Sequence, residues 1–135
     1  MMAAARAYAG FFETLTQAGL ADLDRFVVPE VRFVDPFNDV TGVEGMRRVL
    51  GRMFVDLPDA RFRVSDVAVG QAAYLRWSFA GGRWAIEGMS EVHFAGDGRA
   101  RLHVDHWDAA GQLYARIPVL GWVLRAVRRR VGTFP

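Results

Sequence analysis

The chain has 135 residues, 52% of them hydrophobic and 24% charged, which excludes a disordered chain and suits one domain with a real core. It contains no cysteine, so neither a disulfide framework nor a thiolate metal site is available. All 17 basic residues are arginine, the formal charge is only +2, and the excess gathers at Arg125, Arg128, Arg129 and Arg130 rather than in a stripe, so the expectation is a cytoplasmic protein with no nucleic-acid partner, no signal peptide and no membrane insertion.

In chain order, residues 3 to 18 read as an amphipathic helix, with Tyr8, Phe11, Phe12 and Leu15 on one face and Gly19 placed to end it. A short helical turn through Leu20, Leu23 and Phe26 follows. Pro29 then introduces a strand from Val31 to Val34, which the loop-forming run Asp35, Pro36, Phe37, Asn38, Asp39 should stop. Thr41 and Glu44 have the capping-box spacing, so a helix should begin just after Thr41 and run through Phe54. Four strands are expected next, Phe62 to Val69, Ala72 to Phe79, Arg83 to Phe94 and Arg99 to Trp107. Their short connections at Gly70, Gly81 and Gly96 to Gly98 are those of an antiparallel meander. After Asp108 the pattern is helical again, with Leu120, Val123, Leu124, Val127 and Val131 as the apolar stripe opposite the arginines. Helices first and strands afterwards imply an α+β layer, a cone-shaped fold of helices packed on one face of a strongly curved antiparallel sheet, with an additional C-terminal helix.

The densest chemistry lies in Arg101 to Asp108, reading RLHVDHWD. Alternation puts His103, Asp105 and Trp107 on one face and Leu102, Val104 and His106 on the other. Apolar content alone would send Leu102 and Val104 to the core. The same alternation separates His103 from His106, so no metal site is expected.

The order of helix, short helix, strand ending in VDPF, helix and a long meander closing in HVDHWD, with FAGDGRA at its last turn, resembles the nuclear transport factor 2-like superfamily. Within it the nearest likeness is to the ketosteroid isomerase and SnoaL-like polyketide cyclase group. The resemblance covers residues 5 to 110 and implies a domain over residues 1–110 with a helical extension over 111–135. It implies that Asp35 takes the place of the general base and that Trp107 is an aromatic wall, which turns His103, Asp105 and Trp107 inward. A bulge earlier in that strand would let Ala100 face the core as well. The oxyanion donors of the isomerases fall at Phe11 or Phe12 and at Ser90, so steroid isomerisation is not expected.

The catalytic candidates are therefore Asp35, His103 and Asp105, in a pocket lined by Phe12, Phe37, Trp77, Trp84, Ile86, Ser90 and Trp107. Asp35, standing before Pro36, has a second reading as a residue that caps its own turn. Two functions stay open. One is a cofactor-independent enzyme that transfers a proton beside a carbonyl in a small apolar substrate, as an isomerase, dehydratase or cyclase. The other is a ligand-binding or assembly module with no chemistry. Met89, Leu102 and Val104 on the outer sheet face suggest a homodimer through the sheet.

Overall fold

The computed structural model describes residues 1–112, so the apolar stripe and arginines expected from Leu120 onward lie outside the described residues. Helix α1 (Met2–Glu13) is followed by a 3-10 helix (Ala18–Arg25), strands β1 (Val27–Val34) and β2 (Asp39–Thr41), and helix α2 (Val43–Asp56). Strands β3 (Arg61–Val69), β4 (Ala73–Gly81), β5 (Trp84–Phe94) and β6 (Ala100–His106) complete the sheet, and a short helix α3 (Ala109–Gln112) comes after it.

The six strands lie in the order β2-β1-β6-β5-β4-β3. They form a curved, unclosed sheet with α1 against β3 and β4, and α2 against β1. Strands β3 to β6 form the expected antiparallel meander, but β1 joins β6 in parallel, so the sheet is mixed. A parallel neighbour needs a long crossover, and residues 35 to 99, which hold α2 and the other strands, supply it.

Several local expectations are corrected. Helix α1 ends at Thr14 rather than at Gly19. The Thr14 hydroxyl bonds back to the Gly10 carbonyl at 2.9 Å, and the Thr16 hydroxyl accepts the Gly19 N–H at 3.0 Å, so local side-chain bonds compete with continued helix. Pro29 sits inside β1, at a stretch between Val27 and Arg32 where the ladder to β6 is irregular and no donor is required. Asp39 to Thr41 is a strand and not a loop, paired with Arg32 to Val34 and fastened by a bidentate Arg32–Asp39 ion pair. The capping box does not form. Gly42, at φ 96°, starts α2 without a side-chain cap, and Glu44 bonds Arg47 instead.

The core lies between the helices and the inner sheet face. On β4 the alternate residues Ala73, Leu75, Trp77 and Phe79 are buried there, and Ile86, Ser90 and Val92 of β5 share that face. In β6 the ladder to β5 slips between Leu102 and Ala100, leaving Arg101 as the extra residue of a bulge. This restores the phase, so that Ala100 and His103 both point inward, fully buried and 3% exposed. The bulge expected in this strand is thus present.

Candidate functional site

With the phase of β6 set, His103 lies beside Val92, and Asp105 beside Ser90, on the inner face. His103 is enclosed by the rings of Tyr8, Phe12 and Phe33 at centroid distances of 5.6, 5.5 and 4.9 Å. A buried imidazole needs partners for both nitrogens. Tyr8 Oη lies 2.7 Å from Nδ1, and Asp105 Oδ1 lies 2.7 Å from Nε2. The same Oδ1 accepts the Ser90 hydroxyl at 2.5 Å, and Ser90 Oγ in turn accepts the Trp77 indole N–H at 2.9 Å. One connected chain therefore runs from α1 to β4 through Tyr8, His103, Asp105, Ser90 and Trp77.

Burial pushes the Tyr8 phenol well above its ordinary pKa, and the negative charge of Asp105 adds to that rise. Tyr8 consequently stays protonated and acts as a donor. No buried side-chain nitrogen or oxygen among the described residues lacks a hydrogen-bond partner, so the interior polar chain is complete.

Asp105 also borders a cavity of about 540 Å³, enclosed by the sheet, α2 and the β1–β2 turn. Of the sequence-derived candidates, Asp35, Phe37, Trp77, Trp84, Ile86, Asp105 and Trp107 line this cavity. Phe12, Ser90 and His103 line a second hollow of about 30 Å³ behind it, and Trp77 and Asp105 border both. The smaller hollow has room for about one or two water molecules.

Asp35 and Asp105 are held differently. Asp35 Oδ1 accepts the backbone N–H groups of Phe37 at 2.8 Å and Asn38 at 2.7 Å, and both of its oxygens receive the Asn38 side-chain amide. This is the aspartate turn that the residue type favours beside a proline. It carries Phe37 to the cavity mouth, where its ring meets Trp107 edge-on at 5.7 Å. Asp105 has two donors on Oδ1, and Oδ2 accepts none from the described residues.

Sequence reasoning placed Tyr8 on the buried helix face but gave it no part in the site. Its signal was the single hydroxyl within that aromatic stripe. Arg52 and Asp56, one turn apart on α2, also line the cavity and were not anticipated, because the reading of this helix followed its apolar residues only. His93 and His106 stand on the outer face, where both bond the Glu91 carboxylate, at 2.6 and 3.3 Å. Hydrogen bonds from these two imidazoles hold the Glu91 carboxyl below its ordinary pKa. Among the described residues no group of three or more histidine or carboxylate side chains is arranged to hold a metal ion. No described helix is long and apolar enough to cross a membrane.

The profile of the SnoaL-like domain matches residues 8–103. The chain belongs to that family. The match takes in Tyr8, Asp35, Ser90 and His103, and ends two residues before Asp105. No curated protein matches the chain. Among solved structures, a candidate isomerase of the SnoaL-like family from Agrobacterium tumefaciens is similar at 18% identity, TM-score 0.66, covering 79% of this chain and 96% of its own. A candidate ketosteroid isomerase from Kribbella flavida is similar at 22% identity, TM-score 0.62, covering 78% of each chain. A protein of ketosteroid isomerase-like fold from Catenulispora acidiphila, in complex with trimethylamine, is similar at 13% identity, TM-score 0.67, covering 84% and 90%. At such identities these likenesses establish the shared fold of this SnoaL-like chain and nothing finer.

Proposed function

We propose that this SnoaL-like protein is a cofactor-independent enzyme that moves a proton at a carbon beside a carbonyl, as an isomerase, dehydratase or cyclase does, with Asp105 as the base. The observation that carries the reading is the position of Asp105. Its side chain is 16% exposed, Ser90 and His103 hold Oδ1, Oδ2 accepts no hydrogen bond from the described residues, and the residue borders the aromatic cavity. A base held within reach of an enclosed substrate contributes about 10²- to 10⁴-fold to rate. In this reading Asp35 shapes the mouth through its turn, and His103 orients Asp105. The Tyr8 and Ser90 hydroxyls are engaged with His103 and Asp105, so neither is free to polarise the substrate carbonyl, and a substrate whose own structure stabilises the enolate suits the site best.

The test is deuterium exchange at the α-carbon of cyclic ketones and β-keto esters in heavy water, followed by proton NMR. Asp105→Asn should lower exchange by about 10²- to 10⁴-fold with the fold retained. Equal exchange in the two proteins would remove Asp105 as the base. Loss with Asp35→Asn alone would give that role to Asp35.

A second reading, a binding module without chemistry, is favoured by the charge of the wall. Among the described residues, Asp35, Asp56 and Asp105 line the cavity against Arg52, among the rings of Trp77, Trp84 and Trp107. Carboxylates among aromatic faces suit an organic cation, and the related Catenulispora protein is complexed with trimethylamine. Quenching of tryptophan fluorescence by alkylammonium ions but not by neutral isosteres, without exchange activity, selects this reading.

For assembly we propose a homodimer through the outer sheet face, where Met89 is 40% exposed beside the half-buried Leu102 and Val104. Met89→Asp should then shift the sedimentation coefficient to that of a monomer, and a native chain sedimenting as a monomer would exclude the dimer.

A further inference from the structure

Histidine has two ring nitrogens, and the partner of one decides what the other does. Among the described residues, Nδ1 of His103 faces only the Tyr8 hydroxyl, and Nε2 faces only Oδ1 of Asp105. Were the proton on Nδ1, the Tyr8 hydroxyl hydrogen would have no acceptor among the described residues, and the bare Nε2 would oppose a carboxylate oxygen. Were it on Nε2, every contact pairs a donor with an acceptor. Tyr8 donates to Nδ1, and Nε2–H donates to Asp105.

We infer that Tyr8 is a positioning residue for Asp105, confining the His103 proton to Nε2 so that the imidazole holds Oδ1 and the open oxygen faces the cavity. This rests on the reading of Asp105 as the base. It also decides between two parts for His103. An imidazole whose Nε2 already carries a proton cannot take one from Asp105, and its other nitrogen is occupied by a phenol that burial keeps protonated. His103 is an orienter and not a shuttle. Two branches thus meet on Oδ1 of Asp105, one from α1 through Tyr8 and His103, the other from β4 and β5 through Trp77 and Ser90.

Long-range nitrogen–proton NMR of the histidine rings in the full, ¹⁵N-labelled chain tests this without any substrate. The native protein at neutral pH should show His103 protonated on Nε2 alone. Tyr8→Phe should lose that single state, giving mixed tautomers or an imidazolium. A native proton on Nδ1, or an unchanged Nε2-only spectrum in Tyr8→Phe, would overturn the inference. If the variant does not fold, through-bond coupling between the Tyr8 hydroxyl proton and Nδ1 in the native chain supports it, and absence of that coupling sinks it. An Asp105→Asn protein that still exchanges substrate deuterium would refute the base while leaving the native tautomer result standing.

Discussion

Trp77 lies against Gly88, its register partner on β5, so closely that a methyl group at residue 88 would sit 2.7 Å from two ring carbons of the indole. The Gly88 position also approaches the His106 carbonyl, at 2.9 Å, so the backbone blocks the other escape. The absent side chain lets the indole cross the sheet and reach Ser90 with its N–H. Gly88→Ala should therefore cost about 1–3 kcal/mol, the usual range for overpacking. It should also break the Trp77–Ser90 bond, read as a lower denaturation midpoint together with shifted tryptophan emission.

Ser90 stands between two partners and serves them in opposite senses, accepting from Trp77 and donating to Asp105. Ser90→Ala strands a buried indole N–H and frees Oδ1 of Asp105 from one of its two donors. The stranded group alone should cost about 1–3 kcal/mol. Ser90→Thr keeps the hydroxyl and should recover most of that loss in urea denaturation, which a purely volumetric effect would not allow.

The meander was legible because its turns carry glycine at regular intervals and its strands alternate cleanly, as in Ala73, Leu75, Trp77 and Phe79. The short strand from Asp39 was not, since turn-forming residues precede it and its pairing depends on Arg32, seven positions earlier. The orientation of His103 was the harder question. Leu102 and Val104 are the more apolar pair, and composition favoured them for the core. The polar face wins because Tyr8, Ser90 and Trp77 come from three other elements to satisfy it, and no local pattern displays partners so distant. The resemblance to a known family indicated the inward face, while Asp35, read through that resemblance as the base, is found engaged by its own turn.

The outer-face cluster gives stability a pH dependence with a definite sign. Bonds from His93, and then from His106, lower the folded pKa of Glu91 from its ordinary 4.5. A carboxylate with a depressed folded pKa contributes stability above its unfolded value, and loses it as pH falls through the folded one. Glu91→Gln removes that contribution. Urea denaturation should show the native chain losing stability as pH falls below the ordinary glutamate value of 4.5 and through the lower folded one, and the variant losing less over the same interval. Parallel curves would remove Glu91 from the account.

Phe37 offers a separation of binding from folding. The residue is 51% exposed and its ring meets Trp107 at the cavity mouth, where the Asp35 turn delivers it. An exposed residue away from the core typically changes stability by no more than about 0.5 kcal/mol on substitution. Phe37→Ala should accordingly leave the denaturation midpoint nearly unchanged. Because the lost ring faces the cavity and not the interior chain at Asp105, apolar ketones should bind more weakly, raising KM, while kcat stays close to native. A fall in kcat at constant KM would instead place Phe37 in the chemical step, and an unchanged kcat and KM would show that this mouth does not admit the substrate.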